Sequence, residues 1–200
     1  MALSDETLIS QAVELKDSRA FGELVRRYQA RILLLQRRLA RDPSLAEDLA
    51  QESFLRAWQK LHTYRGSGSF SGWLAALSYN VFLQNRRSTR RRAETGLTDE
   101  HLGSETPDHS AAADLDRLLS VLPEQDQTIL TLVYACGLTN VECGELLEMP
   151  SGTIKARVHR AKQRIQNHLT NSGREQGKSP EAERPGVAGK PRVFAQLTGA

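Results

Sequence analysis

Hydrophobic positions in this chain recur at intervals of three and four residues, the period of an amphipathic helix. Such stripes occur at residues 21–39, 45–61 and 73–82. The pair Asp42-Pro43 predicts the end of the first helix, because proline disfavours helical geometry in the residue before it. Ser44, with Glu47 three residues later, has the spacing of a capping box and predicts the start of the second helix. No sustained apolar/polar alternation is visible, so this part of the chain is predicted to be all-α.

The helical period stops at residue 93 and returns at Asp114. The segment 93–113 collects Gly, Ser, Thr, Pro and acids, a composition that cannot bury enough apolar surface to become ordered, and it predicts a flexible linker. Five Gly and three Pro within 171–200 indicate a disordered tail. The sequence therefore predicts two small helical domains, a first lobe at 1–92 and a second lobe at 114–170, which the linker leaves unaligned.

Residues 137–169 have the spacing of a helix-turn-helix. Thr139 is placed to cap a short helix, and Gly144 lies where the two helices would approach most closely. The second helix carries five cations and no acid between residues 151 and 169. This favours insertion into a DNA major groove, although an ordinary basic surface helix is the alternative. The exposed basic positions include Lys155, Arg157, His159 and Arg160.

Four polar residues share one face of the second predicted helix, namely Asp48, Gln51, Glu52 and Arg56. Taken alone, this is a solvated face. The two carboxylates suggest metal binding or acid–base chemistry, but neither has a nearby His or Cys. Two cysteines seven residues apart and five scattered histidines give no zinc pattern. We therefore expect no metal, no cofactor and no catalytic site.

A Gly- and Ser-rich loop at 66–69 is flanked by aromatic and basic side chains. The loop lacks the GxxxxGK[ST] form of a nucleotide phosphate cradle. Its neighbours are Tyr64, Arg65, Phe70 and Trp73, and the helix that follows ends in an arginine cluster at 86–92. Such a mixture can hold unstacked single-stranded bases while the arginines bind phosphates. Core packing is the alternative explanation for Phe70 and Trp73.

Charge is distributed unevenly along the chain. Residues 1–92 carry 16 basic and 9 acidic side chains, whereas residues 93–116 carry 7 acids and no Lys or Arg. Positive lobes on either side of an acidic strip favour a polyanionic partner, with nucleic acid the first candidate. The longest strongly apolar run is four residues, and no secretory signal is visible. We expect a cytoplasmic protein without membrane insertion.

Two stretches carry a family resemblance. EDLAQESFLRAWQKL and FSGWLAALSYN resemble the second-region domain of bacterial sigma factors, and VLPEQDQTILTLVYACGLTNVECGELLEMPSGTIKARVHRAK resembles their fourth-region domain. The short linker between them is similar to that of the extracytoplasmic-function (ECF, group 4) sigma factors of the sigma-70 family. The resemblance implies a non-enzymatic factor that directs core RNA polymerase to promoters and aids their melting, in response to an envelope or environmental signal. Glu148 departs from the family's usual turn glycine.

The resemblance also implies roles for individual residues. The face on the β′ clamp helices of the polymerase would be Asp48, Gln51, Glu52 and Arg56. The −10 element would be read by the loop from Tyr64 to Phe70 together with Trp73 and Asn80, with Arg86, Arg87 and Arg90 on the backbone upstream. The −35 element would be read by Lys155, Ala156, Arg157, His159 and Arg160. The apolar side of the second lobe would lie on the β flap, and an anti-sigma factor is a further implied partner.

Two other functions remain open at this point. A free-standing helix-turn-helix regulator would use the second lobe and leave the 48–56 face and the Gly-Ser loop without a role. An enzyme acting on nucleic acid would need a metal-ligand or nucleophile set, which the sequence does not contain.

Overall fold

The computed structural model describes residues 3–95 and 117–176, and every regular element in these ranges is helical. The first lobe contains α1 (Asp5–Glu14), α2 (Ser18–Ala40), α3 (Pro43–Lys60), a 3-10 turn (Leu61–Thr63) and α4 (Phe70–Glu94). After a helical turn at 117–120, the second lobe contains α5 (Glu124–Leu130), a π-helical turn (Thr131–Ala135), α6 (Asn140–Leu146) and α7 (Ser151–Gln176). The prediction of an all-α fold with two helical domains is confirmed.

The cap of α3 differs from the predicted one. Asp42 caps α3, since its carboxylate accepts the N–H of Leu45 at 2.8 Å, and Pro43 is the first helical residue. Proline suits this position because its φ is already helical and its missing N–H would have no partner there. The prediction that Ser44 starts the helix is therefore wrong. Helix α4 begins at Phe70 and is capped by Ser69, whose side chain accepts the N–H of Gly72.

The core of the first lobe forms around α2. Leu24 and Ile32 of this helix are fully buried between the other helices of the lobe. Helix α1, which the hydrophobic pattern did not predict, adds Leu8 to the same core. An ion pair between Arg27 Nη1 and Asp5 Oδ1, 2.7 Å apart, ties α1 to α2. The first lobe is thus a four-helix domain in which α3 and α4 present their remaining faces outward.

Helices α6 and α7 form the predicted helix-turn-helix. Thr139 and Glu142 make a complete capping box, with the Thr139 N–H donating to Glu142 Oε2 at 2.8 Å and the Glu142 N–H donating to Thr139 Oγ1 at 3.2 Å. A Cβ at Gly144 would lie 2.6 Å from the carbonyl oxygen of Met149, which confirms the predicted close approach. Glu148 adopts the left-handed turn conformation, with φ of 54°, without a glycine.

The helices extend past two of the predicted boundaries. Helix α4 continues to Glu94 and α7 to Gln176, beyond residues 92 and 170. Most of the predicted linker, and the predicted tail from residue 177 onward, lie outside the described residues.

The two lobes pack against each other through α2 and the start of α4. Leu35 and Ala75 of the first lobe belong to the buried apolar cluster of the second lobe. The Ser71 hydroxyl donates to the carbonyl oxygen of Cys136 at 2.6 Å. Further polar contacts join Arg38 to Gln127 and Arg41 to Glu124. The expectation of unaligned lobes is therefore wrong for this structure, because a shared apolar core joins them.

Candidate nucleic-acid and polymerase interface

The predicted polymerase-docking face lies on α3. Asp48 and Gln51 are exposed, while Glu52 and Arg56 are half-buried. Arg56 Nε donates to Glu52 Oε1 at 2.6 Å, and the same guanidinium contacts Gln84 of α4. The structure brings the four predicted residues together on one helix, and the contacts of Arg56 fix the orientation of Glu52 within the group.

Leu55 belongs to this face and was missed. Its position is seven residues, or two helical turns, from Asp48, so the two side chains project from the same side of α3. Leu55 is 60% exposed. A single exposed leucine is ordinary on a protein surface, but the helical spacing from Asp48 could have shown that this one stands among the polar residues of the face.

Two glycines with positive φ shape the loop at 64–69: φ is 73° at Gly66 and 84° at Gly68. The Tyr64 hydroxyl donates to the Gly68 carbonyl at 2.9 Å. Burial raises the pKa of Tyr64 above its ordinary value, so the phenol keeps the proton that it donates. The loop is therefore held in shape by its own tyrosine.

The aromatic residues beside the loop divide into two kinds. Phe70 is 4% exposed, and its ring centroid lies 5.3 Å from that of Tyr28 and 5.6 Å from that of Trp73. Tyr64 and Trp73 are half-buried, with ring centroids 5.7 Å apart. Of the two explanations offered for Phe70, core packing is the one that its burial supports. Tyr64 and Trp73 combine core contacts with exposed ring surface.

The polar residues of this region lie along α4 and at the loop. Exposed side chains include Arg65, Asn80, Arg86, Arg87 and Arg90. Arg90 Nε donates to Glu94 Oε1 at 2.9 Å, but both partners are largely solvated, so water screens this pair. The arginines at the end of α4 thus form a surface that can bind phosphates.

An acidic residue of the second lobe stands against the loop. A Cβ at Gly68 would lie 2.8 Å from Glu142 Oε1, and a Cβ at Gly72 would lie 3.7 Å from the same atom. The two glycines therefore leave the space that the Glu142 carboxylate occupies. A negative charge at this place repels the phosphates of a nucleic acid approaching the loop.

Helix α7 presents the second candidate surface. Its apolar side is buried by Ile154, Val158 and Ala161. The predicted residues Lys155, Ala156, His159 and Arg160 are all exposed. Arg157 is not part of this group, because it is half-buried and its Nη1 lies 2.7 Å from Asp126 Oδ1 on α5. Four of the five residues predicted to read the −35 element are thus exposed on α7, whereas the side chain of Arg157 packs against α5.

The described residues contain no group of three or more side chains that could hold a metal ion. Burial raises the pKa of Cys136 to about 12 and that of Cys143 to about 11, so both free thiols stay protonated. Within the described ranges, none of the helices is long and apolar enough to span a membrane. The chemistry that these surfaces offer is binding through charged and aromatic groups.

Comparison with known proteins matches both lobes of the chain to one protein family. The model of sigma-70 region 2 matches residues 24–92, and the model of sigma-70 region 4 matches residues 112–165. The chain is 30% identical over 184 residues to an ECF RNA polymerase sigma-E factor of Haemophilus influenzae, covering 84% of this chain and 96% of that protein. It is 32% identical over 169 residues to the ECF RNA polymerase sigma factor SigE of Mycolicibacterium smegmatis, covering 80% of this chain and 65% of that protein.

A solved structure shows the same fold. The sigma factor RpoE of Bartonella quintana, determined in complex with the anti-sigma factor NepR, superposes with a TM-score of 0.57 at 23% identity, covering 75% of this chain and 96% of that chain. The family models cover both lobes in the expected order, and the sigma-E factor is matched over nearly its whole length. Sigma factors are initiation factors and not enzymes, in agreement with the expectation from the sequence. The chain belongs to the extracytoplasmic-function sigma factors of the sigma-70 family.

Proposed function

We propose that this chain directs core RNA polymerase to specific promoters through three surfaces of its own: the α3 face, the loop at 64–69 with α4, and the exposed side of α7. The observation that carries the proposal is the α3 face. Asp48 and Gln51 are exposed there and take no part in either apolar core. A regulator that binds DNA alone has no use for this face, whereas a sigma factor needs it for polymerase.

The α3 face suits a protein partner. The carboxylates of Asp48 and Glu52 offer acceptors to basic residues, and Leu55 offers apolar area beside them. Polar groups around an apolar contact are the usual anatomy of a protein–protein interface. We assign this face, with Arg56, to the β′ clamp helices, and the apolar side of the second lobe to the β flap.

The two other surfaces suit DNA in different states. Lys155, His159 and Arg160 stand on the exposed side of a recognition helix, where lysine and arginine can reach guanine edges and phosphates of duplex −35 DNA. Tyr64 and Trp73 offer ring surface beside a loop, which suits stacking with bases of a single strand at the −10 element. Arg86 and Arg87 would then bind the backbone upstream.

Polymerase works in the cytoplasm, so we place this chain there. We also propose an anti-sigma factor as a partner that restrains it until an envelope or environmental signal arrives; family membership supports this. A free-standing helix-turn-helix regulator is the competing function. It predicts promoter binding without polymerase and no role for the α3 face.

The test compares promoter binding with and without core polymerase for the wild type and Asp48→Ala/Glu52→Ala. We expect tight binding to require core and to be lost in the double variant, because the docking acids are missing while the fold remains. Surface substitutions of this kind change stability by only about 0.5 kcal/mol. Glu14→Ala/Glu145→Ala is the matched control, since it removes two exposed acids that lie outside the proposed binding surfaces. Tight binding of duplex DNA by both proteins without core would refute the proposal.

A further inference from the structure

Asp126 is a buried carboxylate that joins two helices of the DNA-binding lobe. It lies in the first turn of α5 and is 7% exposed. Its Oδ1 accepts from Arg157 Nη1 at 2.7 Å, and its Oδ2 lies 3.8 Å from Arg164 Nη1. Both arginines belong to α7, two helical turns apart. One carboxylate of α5 therefore attracts the recognition helix at two points along its length.

Because the Asp126 carboxylate is buried, it is costly for Arg157 to leave it for another partner. A buried charge is tolerated in a protein when it is paired and hydrogen-bonded. If Arg157 turned outward to a DNA phosphate, Asp126 would keep only Arg164, whose nitrogen is beyond hydrogen-bond distance. Removing one partner of a buried ion pair is strongly destabilising, because the other charge is left buried without compensation. Arg157 is therefore committed to α5 and withheld from DNA.

The same contact restricts how α7 can turn about its own axis. Ile154 and Val158 pack the apolar side of α7 against the lobe, and such apolar contacts allow the helix to rotate slightly about its axis. The hydrogen bond of 2.7 Å between Arg157 and Asp126 is directional, and it therefore limits this rotation. The exposed side chains of Lys155 and Arg160 are carried on the same rigid helix. Their approach to the bases is consequently fixed by a residue that itself never reaches DNA.

We propose that Asp126 is a positioning residue for promoter recognition: through Arg157 it sets the orientation of α7 and thereby the base selectivity of the −35 contact. This inference rests on the proposed function, because it assumes that α7 reads the −35 element.

The experiment uses the full chain bound to core polymerase. The DNA probe is the duplex that the wild-type holoenzyme selects from a library randomised in the −35 region. For Asp126→Asn we expect the preference for this duplex over a scrambled −35 duplex to fall by about tenfold, equivalent to 1.4 kcal/mol. The freed Arg157 should bind one phosphate, which steepens the dependence of log K on log salt by about 0.9. A loss of fold alone would not steepen the salt dependence.

Two further variants separate positioning from other roles. Asp126→Glu keeps the charge and should restore much of the selectivity. Arg157→Ala should lower selectivity without making the salt dependence shallower, whereas a direct phosphate contact by Arg157 would make it shallower by about 0.9. Glu145→Gln is the matched control, since it removes an exposed acid of the same lobe and should change neither quantity.

The outcomes are decisive even if Asp126→Asn unfolds the lobe. Asp126→Leu/Arg157→Met removes both charges and the hydrogen bond and leaves no buried ion of this pair unpaired, so it should fold and still lose selectivity. Wild-type selectivity in either folded variant would overturn the inference. A wild-type holoenzyme that selects no −35 sequence at all would instead refute the proposed function, which is a separate result.

Discussion

The two surfaces that we propose to bind DNA differ in how their residues contribute to the fold. On α7 the residues assigned to DNA are exposed, and the helix is held from behind by a buried apolar stripe and the Asp126 contact. At the loop of the first lobe, the aromatic residues assigned to DNA also pack on one another, and Phe70 lies within the core. In the second lobe the proposed recognition residues are thus separate from the core residues, whereas in the first lobe the two sets overlap.

This difference has a physical reason. Base edges in a duplex groove are read by side chains at the surface of a rigid helix. Unstacked bases need flat apolar surfaces, and aromatic rings that offer them are stabilised by packing against other rings. A substitution in the loop region should therefore change folding and DNA binding together, whereas a substitution on the exposed side of α7 should change DNA binding alone.

The largest expected effect is that of Phe70→Ala. Truncating a buried phenylalanine should destabilise the first lobe by about 3–5 kcal/mol. Both tryptophans, Trp58 and Trp73, lie in this lobe, so tryptophan fluorescence during urea unfolding reports on it selectively. An unchanged unfolding midpoint combined with lost promoter melting would show instead that Phe70 contacts DNA directly and that the overlap of roles is absent.

An intermediate effect is expected for Arg160→Ala. Loss of a side chain paired with a guanine edge should cost about 1–3 kcal/mol in binding and relax the preference at one base pair of the −35 element. Thermal unfolding should be unchanged, because Arg160 is exposed. Binding of the holoenzyme to duplexes carrying each base at each −35 position measures the effect. A uniform loss over all duplexes would reassign Arg160 to a phosphate.

The smallest effect is expected for Glu142→Gln. Glutamine can keep the capping box with Thr139 while removing the charge beside Gly68. The affinity of the free protein for a single-stranded −10 oligonucleotide should rise by about 0.5–1 kcal/mol, the size of a partly solvated charge interaction. Fluorescence anisotropy gives the affinity, with Glu145→Gln as the control on the same helix. Equal gains in affinity for both variants would mean that any acid of this helix repels the oligonucleotide, and that the position of Glu142 beside the loop has no special effect.

The sequence predicted the features that neighbouring residues determine and missed the contacts between residues far apart in the chain. The stripe of α2 and the helix-turn-helix could be predicted because periodicity, the Thr139 capping box and Gly144 act within a few residues. The start of α3 was misplaced because Asp42 and Ser44 are both good caps, and Pro43 between them decided which one is used.

The contacts that changed the interpretation of the candidate sites span long stretches of sequence. Asp126 and Arg157 are 31 residues apart, and Ser71 and Cys136 are 65 residues apart. No spacing rule relates such pairs, since their proximity follows from how whole helices pack. The sequence therefore predicted which residues of α7 are exposed, apart from Arg157, but it did not predict the contact of Arg157 with Asp126 or the packing of the two lobes.

The apolar core shared by the lobes makes their separation sensitive to temperature. Any step that parts them brings side chains such as Leu35 and Ala75 into water. Exposure of apolar surface raises the heat capacity, and the attraction between apolar groups weakens on cooling. Cooling therefore weakens the apolar contact that joins the lobes, and we expect the lobes to separate more easily at low temperature than at moderate temperature.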